Sequence, residues 1–387
     1  KQEIIDKKGK TVTFYSYKGG VGRSMVLVNT ACLLAKEGKK VLLIDWDLEA
    51  PGLHYFFTEN KDALGFVDLI DDSYKFIQTE ENNDEEDYCR FFQENMHKYI
   101  SKNLNPIVNN SNSSVNINPS DFNIDLITAG KFDANYSEKL GDIKWMDFYK
   151  KAPAYFRTLA YFLERDYDYI FVDSRTGLAD TSGISSMLMP SKLVLVFVLN
   201  NQNINGVLEV ASKAIDYRLN SNDYRKLDIY PLPSRLENTV ITDFENWKSK
   251  YTEPFQELFK RKYMLDVCNL SDYFERCSIT YYPKHAYGES IPVLNESITD
   301  SKNITYDYNS FLTVLKSDKQ SWEIISKEKE QENIAKSNEH YNNAFKLFYE
   351  KKYDESLDEA TKAIELNDKN KDAYNIIGNV KCETGKY

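Results

Sequence analysis

Residues Tyr17-Lys18-Gly19-Gly20-Val21-Gly22-Arg23-Ser24 constrain this chain more than any other stretch. An apolar, β-branched run, Thr11-Val12-Thr13-Phe14-Tyr15, precedes them, and an apolar-periodic run from Met25 to Ala35 follows. The pattern predicts a strand, a glycine-rich turn and a helix start. Glycines at 19, 20 and 22 let the backbone curl so that successive N–H groups point inward. With the positive end of the helix dipole, such a turn makes a cradle for phosphate.

The rest of the chain to about residue 300 supports that start. Lys40 to Asp45, Asn123 to Ile127, Tyr169 to Asp173, Leu193 to Leu199 and Leu227 to Tyr230 read as further strands. Trp145 to Arg165, Val207 to Leu219 and Phe244 to Lys262 read as helices between or after them, and Ser278 to Tyr282 as a last strand closed by Pro283. Strands alternating with helices predict an α/β domain, residues 1–305: a mainly parallel, doubly wound sheet with helices on both faces. Residues 78–121 interrupt it with an acidic block (Glu80 to Asp87), a short aromatic helix (Tyr88 to Ile100) and an Asn/Ser tract, an insertion with flexible parts. Residues 306–331 are expected to be a helical linker.

Aligned on G-x-x-x-x-G-K-[ST], Ser24 falls at the hydroxyl that binds Mg²⁺, Tyr17 replaces the first glycine and Arg23 the lysine. Arginine keeps the charge and can grip phosphate oxygens bidentately, but it is bulkier and planar, so hydrolysis is expected to be slow. Asp173 ends an apolar strand, where an acid orients the metal or its water shell. No N-K-x-D motif marks a guanine site, so ATP is the expected nucleotide.

Lys18 before the double glycine makes the loop K-G-G-x-G-R-S, which resembles the deviant Walker A motif of the MinD/ParA ATPases, a SIMIBI-class group. The strings Asp45 to His54 (D-W-D-L-E-A-P-G-L-H) and Asp173 to Gly177 (D-S-R-T-G) resemble a bacterial subgroup with K-G-G-V-G-R-[ST]-M, often fused to tetratricopeptide repeats. The resemblance covers roughly residues 11–300 and implies roles. Lys18 would reach across a dimer interface to the partner's nucleotide. Lys18, Gly19, Gly20, Val21, Gly22, Arg23, Ser24 and Met25 would hold the nucleotide, with Arg235 at the adenine. Ser24, Asp45 and Asp173 would serve the magnesium shell. Asp47 in switch I would orient the attacking water, and Ser174 to Gly177 would form switch II. His54, beside aromatics, is expected to pack.

From about Tyr306 the chain turns to helices rich in Lys and Glu. Tyr353 and Tyr387, Ala344 and Gly378, Tyr341 and Asn375, and Lys352 and Lys386 are each 34 positions apart. That period and the small and aromatic positions resemble tetratricopeptide repeats over 332–387, cut off in the second copy. The natural protein is therefore expected to continue beyond Tyr387, and a start at Lys1 rather than Met suggests that residues also precede it.

Net charge is −11 and the pI about 5.1. Bulk electrostatics thus oppose nucleic acid and anionic membrane, though a local basic patch stays possible. Five cysteines without a C-x-x-C pair suit a reducing cytoplasm rather than a zinc site or disulfide frame. No apolar run is long enough for a membrane span. The leading expectation is an ATP-operated homodimeric switch that signals through its repeats to a protein partner, in bacterial regulation or defence. The alternative is a non-hydrolysing scaffold; a metabolic P-loop enzyme is disfavoured, since nothing suggests a small-substrate pocket.

Overall fold

The computed structural model describes residues 9–58, 63–79, 84–107, 122–174, 176, 187–221, 225–237, 241–285 and 288–385. The chain divides into two compact units, Lys1–Ile324 and Ile325–Tyr387.

The first unit begins β1 (Lys10–Tyr15), α1 (Arg23–Lys36), β2 (Val41–Trp46), β3 (Phe57–Thr58), α2 (Phe66–Thr79), α3 (Glu85–Asn95), β4 (Asn105–Pro106) and β5 (Ile124–Ile127). It continues with α4 (Tyr136–Asp142), α5 (Trp145–Lys151), α6 (Tyr155–Glu164), β6 (Tyr169–Ser174), β7 (Lys192–Phe197) and α7 (Asn201–Asn220). It closes with β8 (Asp228–Pro233), α8 (Ile241–Tyr263), α9 (Ser271–Arg276) and α10 (Ile304–Lys316).

Six strands form one sheet in the order β5-β2-β6-β1-β7-β8. Every neighbouring pair is parallel. Successive side chains of a strand point to opposite faces, and the sequence fills both with apolar groups. Val41 and Leu43 of β2 and Phe171 of β6 join a core with α1, α7, α8 and α10. Leu42, Ile44, Ile170 and Val172 join another with α2, α3, α5 and α6. The α/β class and the helices on both faces are as the sequence predicts. β1 lies between β6 and β7, so the loop after it opens at the carboxyl edge where the strand order switches, the usual place for a ligand in such sheets.

Four expectations change. The helix expected over 145–165 is two, α5 and α6. Pro153 cannot supply an N–H, and it drives Ala152 out of the helical region, to φ −133°, ψ 63°. The strand expected at 278–282 is a single bridge, Thr280 to Leu236. The Ile279 carbonyl and the Tyr281 N–H make the bridge bonds to Leu236 (3.0 and 2.9 Å), and the Thr280 N–H donates to Asp307 Oδ2 (2.8 Å). Part of the 78–121 insertion is integral to the domain: Tyr88, Phe92 and Tyr99 are buried in the second core, and Leu104 N–H donates to the Ile124 carbonyl at the sheet edge (2.8 Å). Its acidic block supplies a helix cap, Asp84 accepting from the Glu86 and Asp87 N–H groups while Asp87 reciprocates. The Asn/Ser tract, expected from Asn103 to Ser120, supplies β4 at its start, and its residues from 108 on lie outside the described residues. Finally, the expected linker 306–331 splits. Tyr308, Phe311, Leu312 and Leu315 of α10 are buried in the first core, and the division falls at Ile324.

The second unit holds α11 (Lys327–Tyr349), α12 (Tyr353–Leu366) and α13 (Lys371–Thr384). Ala344, Ala360, Ile376 and Val380 form its small core. Close approach lets side chains bond across helices: Ser356 Oγ donates to the Ala344 carbonyl (2.7 Å) and Ser337 Oγ to that of Ala363 (2.6 Å). Ala344 is fully buried. Gly378, expected at an equivalent close approach, faces open space. Lys386 and Tyr387 lie outside the described residues.

Candidate functional site

The loop after β1 holds its shape through backbone conformations that only glycine adopts easily. Gly20 and Gly22 have φ of 74° and 88°. Gly19 is different. Its φ is not left-handed and a Cβ there would meet nothing within 4 Å. Its missing side chain leaves the space over the loop clear, which is what a phosphate needs. The loop is anchored at both ends. Tyr17 lays its ring on Gly206 of α7, so closely that a Cβ at 206 would lie 2.1 Å from Tyr17 Cγ. Ser234, after β8, donates its hydroxyl to the Val21 carbonyl (2.9 Å). Lys18, between these anchors, is exposed.

Beneath the loop, β2 and β6 bring three acids together. Asp45 and Asp173 are directly paired across the two strands. Ser24 Oγ donates to Asp173 Oδ2 (2.6 Å). A hydroxyl that gives its proton to a carboxylate keeps its lone pairs for a cation. Arg23 donates through Nε to Asp173 Oδ1, through Nη2 to Asp47 Oδ2 (2.9 Å) and through Nη1 to Ser16 Oγ (3.2 Å). Asp45 is engaged by its own loop: Oδ2 accepts from the Gly52 and Leu53 N–H groups (3.0 Å each) and Oδ1 from the Asp47 N–H (3.3 Å).

Electrostatics follow from burial. Loss of solvent and the neighbouring Asp173 charge push the Asp45 carboxyl up to about 8, against the pull of the Leu53 N–H. Burial also pushes Asp173 above the usual carboxylate range, with Arg23 and Ser24 pulling it back. Burial works against the Arg23 charge too, but Asp173 and Asp47 outweigh it and the guanidinium stays protonated.

A family model described as AAA domain (AAA_31) matches residues 9–222, more than half the chain and the whole of this loop-and-acid arrangement. The chain belongs to that AAA_31 family.

An uncharacterized ATP-binding protein of Methanocaldococcus jannaschii is 38% identical over 63 residues, 16% of this chain and 24% of its own length. The tyrosine-protein kinase YwqD of Bacillus subtilis is 46% identical over 64 residues, 16% of this chain and 27% of its own. This AAA_31 chain thus spans about a quarter of the length of the curated relatives it matches. Among solved structures, the cell division ATPase MinD of Pyrococcus furiosus aligns with a TM-score of 0.47 at 15% identity, covering 79% of this chain and 99% of that one.

The structure brings Arg23, Ser24, Asp45, Asp47 and Asp173 of the AAA_31 domain into one cluster, with Gly19 to Gly22 above it. Arg235 is exposed, in a left-handed conformation (φ 55°). It borders a cleft with Gly22, Met25, Tyr281, Tyr282 and His285. His54 packs against Tyr55 and Phe132, as expected of it. Arg175 and Gly177 of the expected switch II lie outside the described residues. Sequence reasoning missed the anchors Gly206 and Ser234. Ser234 was visible in Pro233-Ser234-Arg235, but its partner is 213 positions away. Among the described residues no helix is long and apolar enough to cross a membrane.

Proposed function

We propose that this chain binds ATP with Mg²⁺ at residues 17–25 and hydrolyses it slowly, as a homodimeric switch read by a protein partner through the C-terminal helices. The observation that carries this is the Ser24–Asp173 hydrogen bond (2.6 Å) at the start of α1, under a loop kept open by Gly19. The residues fit the ion. Mg²⁺ keeps several waters and takes only one or two protein ligands beside phosphate oxygens, and Ser24, with Asp173 and Asp45 behind it, suits that demand. When bound, the ion neutralises phosphate charge. The loop N–H groups bind the phosphates, Lys18 reaches the nucleotide of the partner subunit, and Asp47 orients the attacking water. Arg235 borders the cleft for the adenine. The 34-residue spacing and the packed helices α11 to α13 support tetratricopeptide repeats as the output surface, and a nucleotide switch joined to such repeats suits bacterial regulation or defence.

One observation favours the non-hydrolysing scaffold as a second reading. Arg23, at the lysine position, is already held by two carboxylates. Thermal shift and phosphate release separate the readings. Ligand at ~100 Kd adds roughly 2.7 kcal/mol of stability, so Mg²⁺-ATP is expected to raise Tm clearly. No shift with ATP, ADP or GTP at millimolar concentration overturns nucleotide binding. Asp47→Ala is expected to keep the shift and lose ~100-fold in phosphate release, about 2.7 kcal/mol. A shift without any wild-type turnover selects the scaffold.

A further inference from the structure

We propose that Arg23 is a positioning residue, which holds Asp47 and Asp173 in fixed relation, rather than the phosphate ligand its place in the loop suggests. The proposal rests on the nucleotide site described above and concerns how that site is organised. Arg23 is only 7% exposed although it adjoins an open loop. Its acceptors come from three separate parts of the fold: Ser16 at the end of β1, Asp47 after β2 and Asp173 in β6. Three nitrogens of one planar group each serve a different acceptor. A lysine presents all its donors from a single nitrogen on a flexible stem and cannot reproduce that fork. The substitution of arginine for lysine thus has a structural counterpart in the site itself.

The bonds are continuous. Ser24 is joined to Asp173, Asp173 to Arg23, and Arg23 to Asp47. Asp47 is therefore held from two sides, by Asp45 at its backbone N–H and by Arg23 at its carboxylate. Any change at the Ser24 hydroxyl reaches the aspartate of switch I through this chain. Phosphate charge then falls to the loop N–H groups and Lys18, while Arg23 sets where Asp47 points. Replacing Arg23 should accordingly change turnover and the order of the switch I segment, and leave affinity nearly alone.

The test uses Arg23→Lys and Asp47→Asn in the whole chain. Amide exchange of residues 46–53 is followed in the nucleotide-free protein. Affinity for a fluorescent ATP analogue with Mg²⁺ and single-turnover phosphate release are measured beside it. Arg23→Lys is expected to speed exchange over 46–53 about tenfold or more, as for loss of charge-assisted bonds, with affinity within about threefold and phosphate release down about tenfold. Asp47→Asn keeps the shape and loses the charge, and is expected to speed exchange in the same segment. A tenfold loss of affinity in Arg23→Lys with exchange over 46–53 unchanged overturns the proposal and makes Arg23 a phosphate ligand. If Arg23→Lys does not fold, unchanged exchange in Asp47→Asn overturns it equally. If the wild type fails to bind the analogue, the nucleotide site itself is wrong, and the exchange result still decides whether Arg23 holds Asp47.

Discussion

Two clusters of charged groups occupy opposite ends of the same sheet. At the carboxyl ends of β2 and β6, Arg23 pairs with Asp47 and Asp173, and Asp45 lies beside Asp173, one cation among three carboxyls. At the amino ends of β1, β7 and β8, Lys10 and Lys192 meet Asp318, and Lys192 and Lys226 meet Asp228. There Lys192 Nζ also donates to Tyr230 Oη (3.0 Å), and Gln320 Nε2 to Asp228. The titration directions mirror the balance. Burial pushes Asp45 and Asp173 up, whereas Lys10 and Lys192 outweigh burial and hold Asp318 below the usual range. A balanced cluster is a staple that ties residues 318–320 to the sheet. An acid-rich cluster under an open loop has an unmet demand for positive charge, the mark of a ligand site.

The largest expected effect tests that distinction directly. Removing one partner of a buried pair costs about 3–5 kcal/mol. Asp173→Ala and Lys192→Met should therefore both lower Tm strongly. Only Asp173→Ala should also abolish Mg²⁺-dependent nucleotide binding. Equal loss of binding in Lys192→Met would erase the difference between the two ends.

Next in size is the loop anchor. Gly206→Ala forces the Tyr17 ring aside, and overpacking of this kind costs about 1–3 kcal/mol. The displaced loop carries Lys18, so nucleotide-dependent association should weaken more than stability does. A Gly206→Ala protein that dimerises with ATP like the wild type would show that Tyr17 is mere packing.

How far could the sequence be read? The strands were legible because both faces of a parallel sheet demand near-continuous apolar runs, as in Val41 to Ile44 and Ile170 to Val172. The loop was legible because its glycines are local. The break at Pro153 was also there to be read. Helix α10 was not: it adjoins the Lys- and Glu-rich tail, and the burial of Tyr308, Phe311 and Leu315 depends on partners far off in the sequence, as Phe311 on Phe14 of β1. The same holds for the site. Asp173, Asp47 and Ser24 stand out by position, but no local pattern announces that Arg23 meets two of these acids, or that Ser234 and Gly206 pin the loop. Such contacts exist only once the chain has folded.

A graded effect is expected from pH. The Asp45 carboxyl, pushed up to about 8 in the fold, titrates near 3.9 when unfolded. Between these values the folded chain binds more protons than the unfolded one, so stability falls as pH rises from ~4 to ~8, by at most about 1.4 kcal/mol per pH unit. Asp45→Asn keeps an acceptor for Gly52 and Leu53 and cannot ionise, so it should flatten this slope in denaturant titrations at several pH values. An equivalent substitution in the balanced cluster, Asp318→Asn, acts on a carboxyl held low, so the stability it removes is present above the unfolded pKa and already lost in acid. Matching pH profiles for the two variants would contradict the contrast.

The smallest effect is expected from truncation at Ile324, and where the cut falls matters. Residues 318–320 belong to the balanced cluster, and α10 fills the first core. A chain ending after residue 305, where composition changes, strips Lys192 of Asp318 and empties the core beside α1, and should not fold. A chain ending at Ile324 keeps the core and both clusters. Its nucleotide affinity and Tm should match those of the longer chain, while capture of a partner through α11 to α13 is lost. A tenfold fall in affinity on cutting at Ile324 would mean that the helical unit takes part in the nucleotide site, and that the acid-rich end of the sheet does not carry the ligand alone.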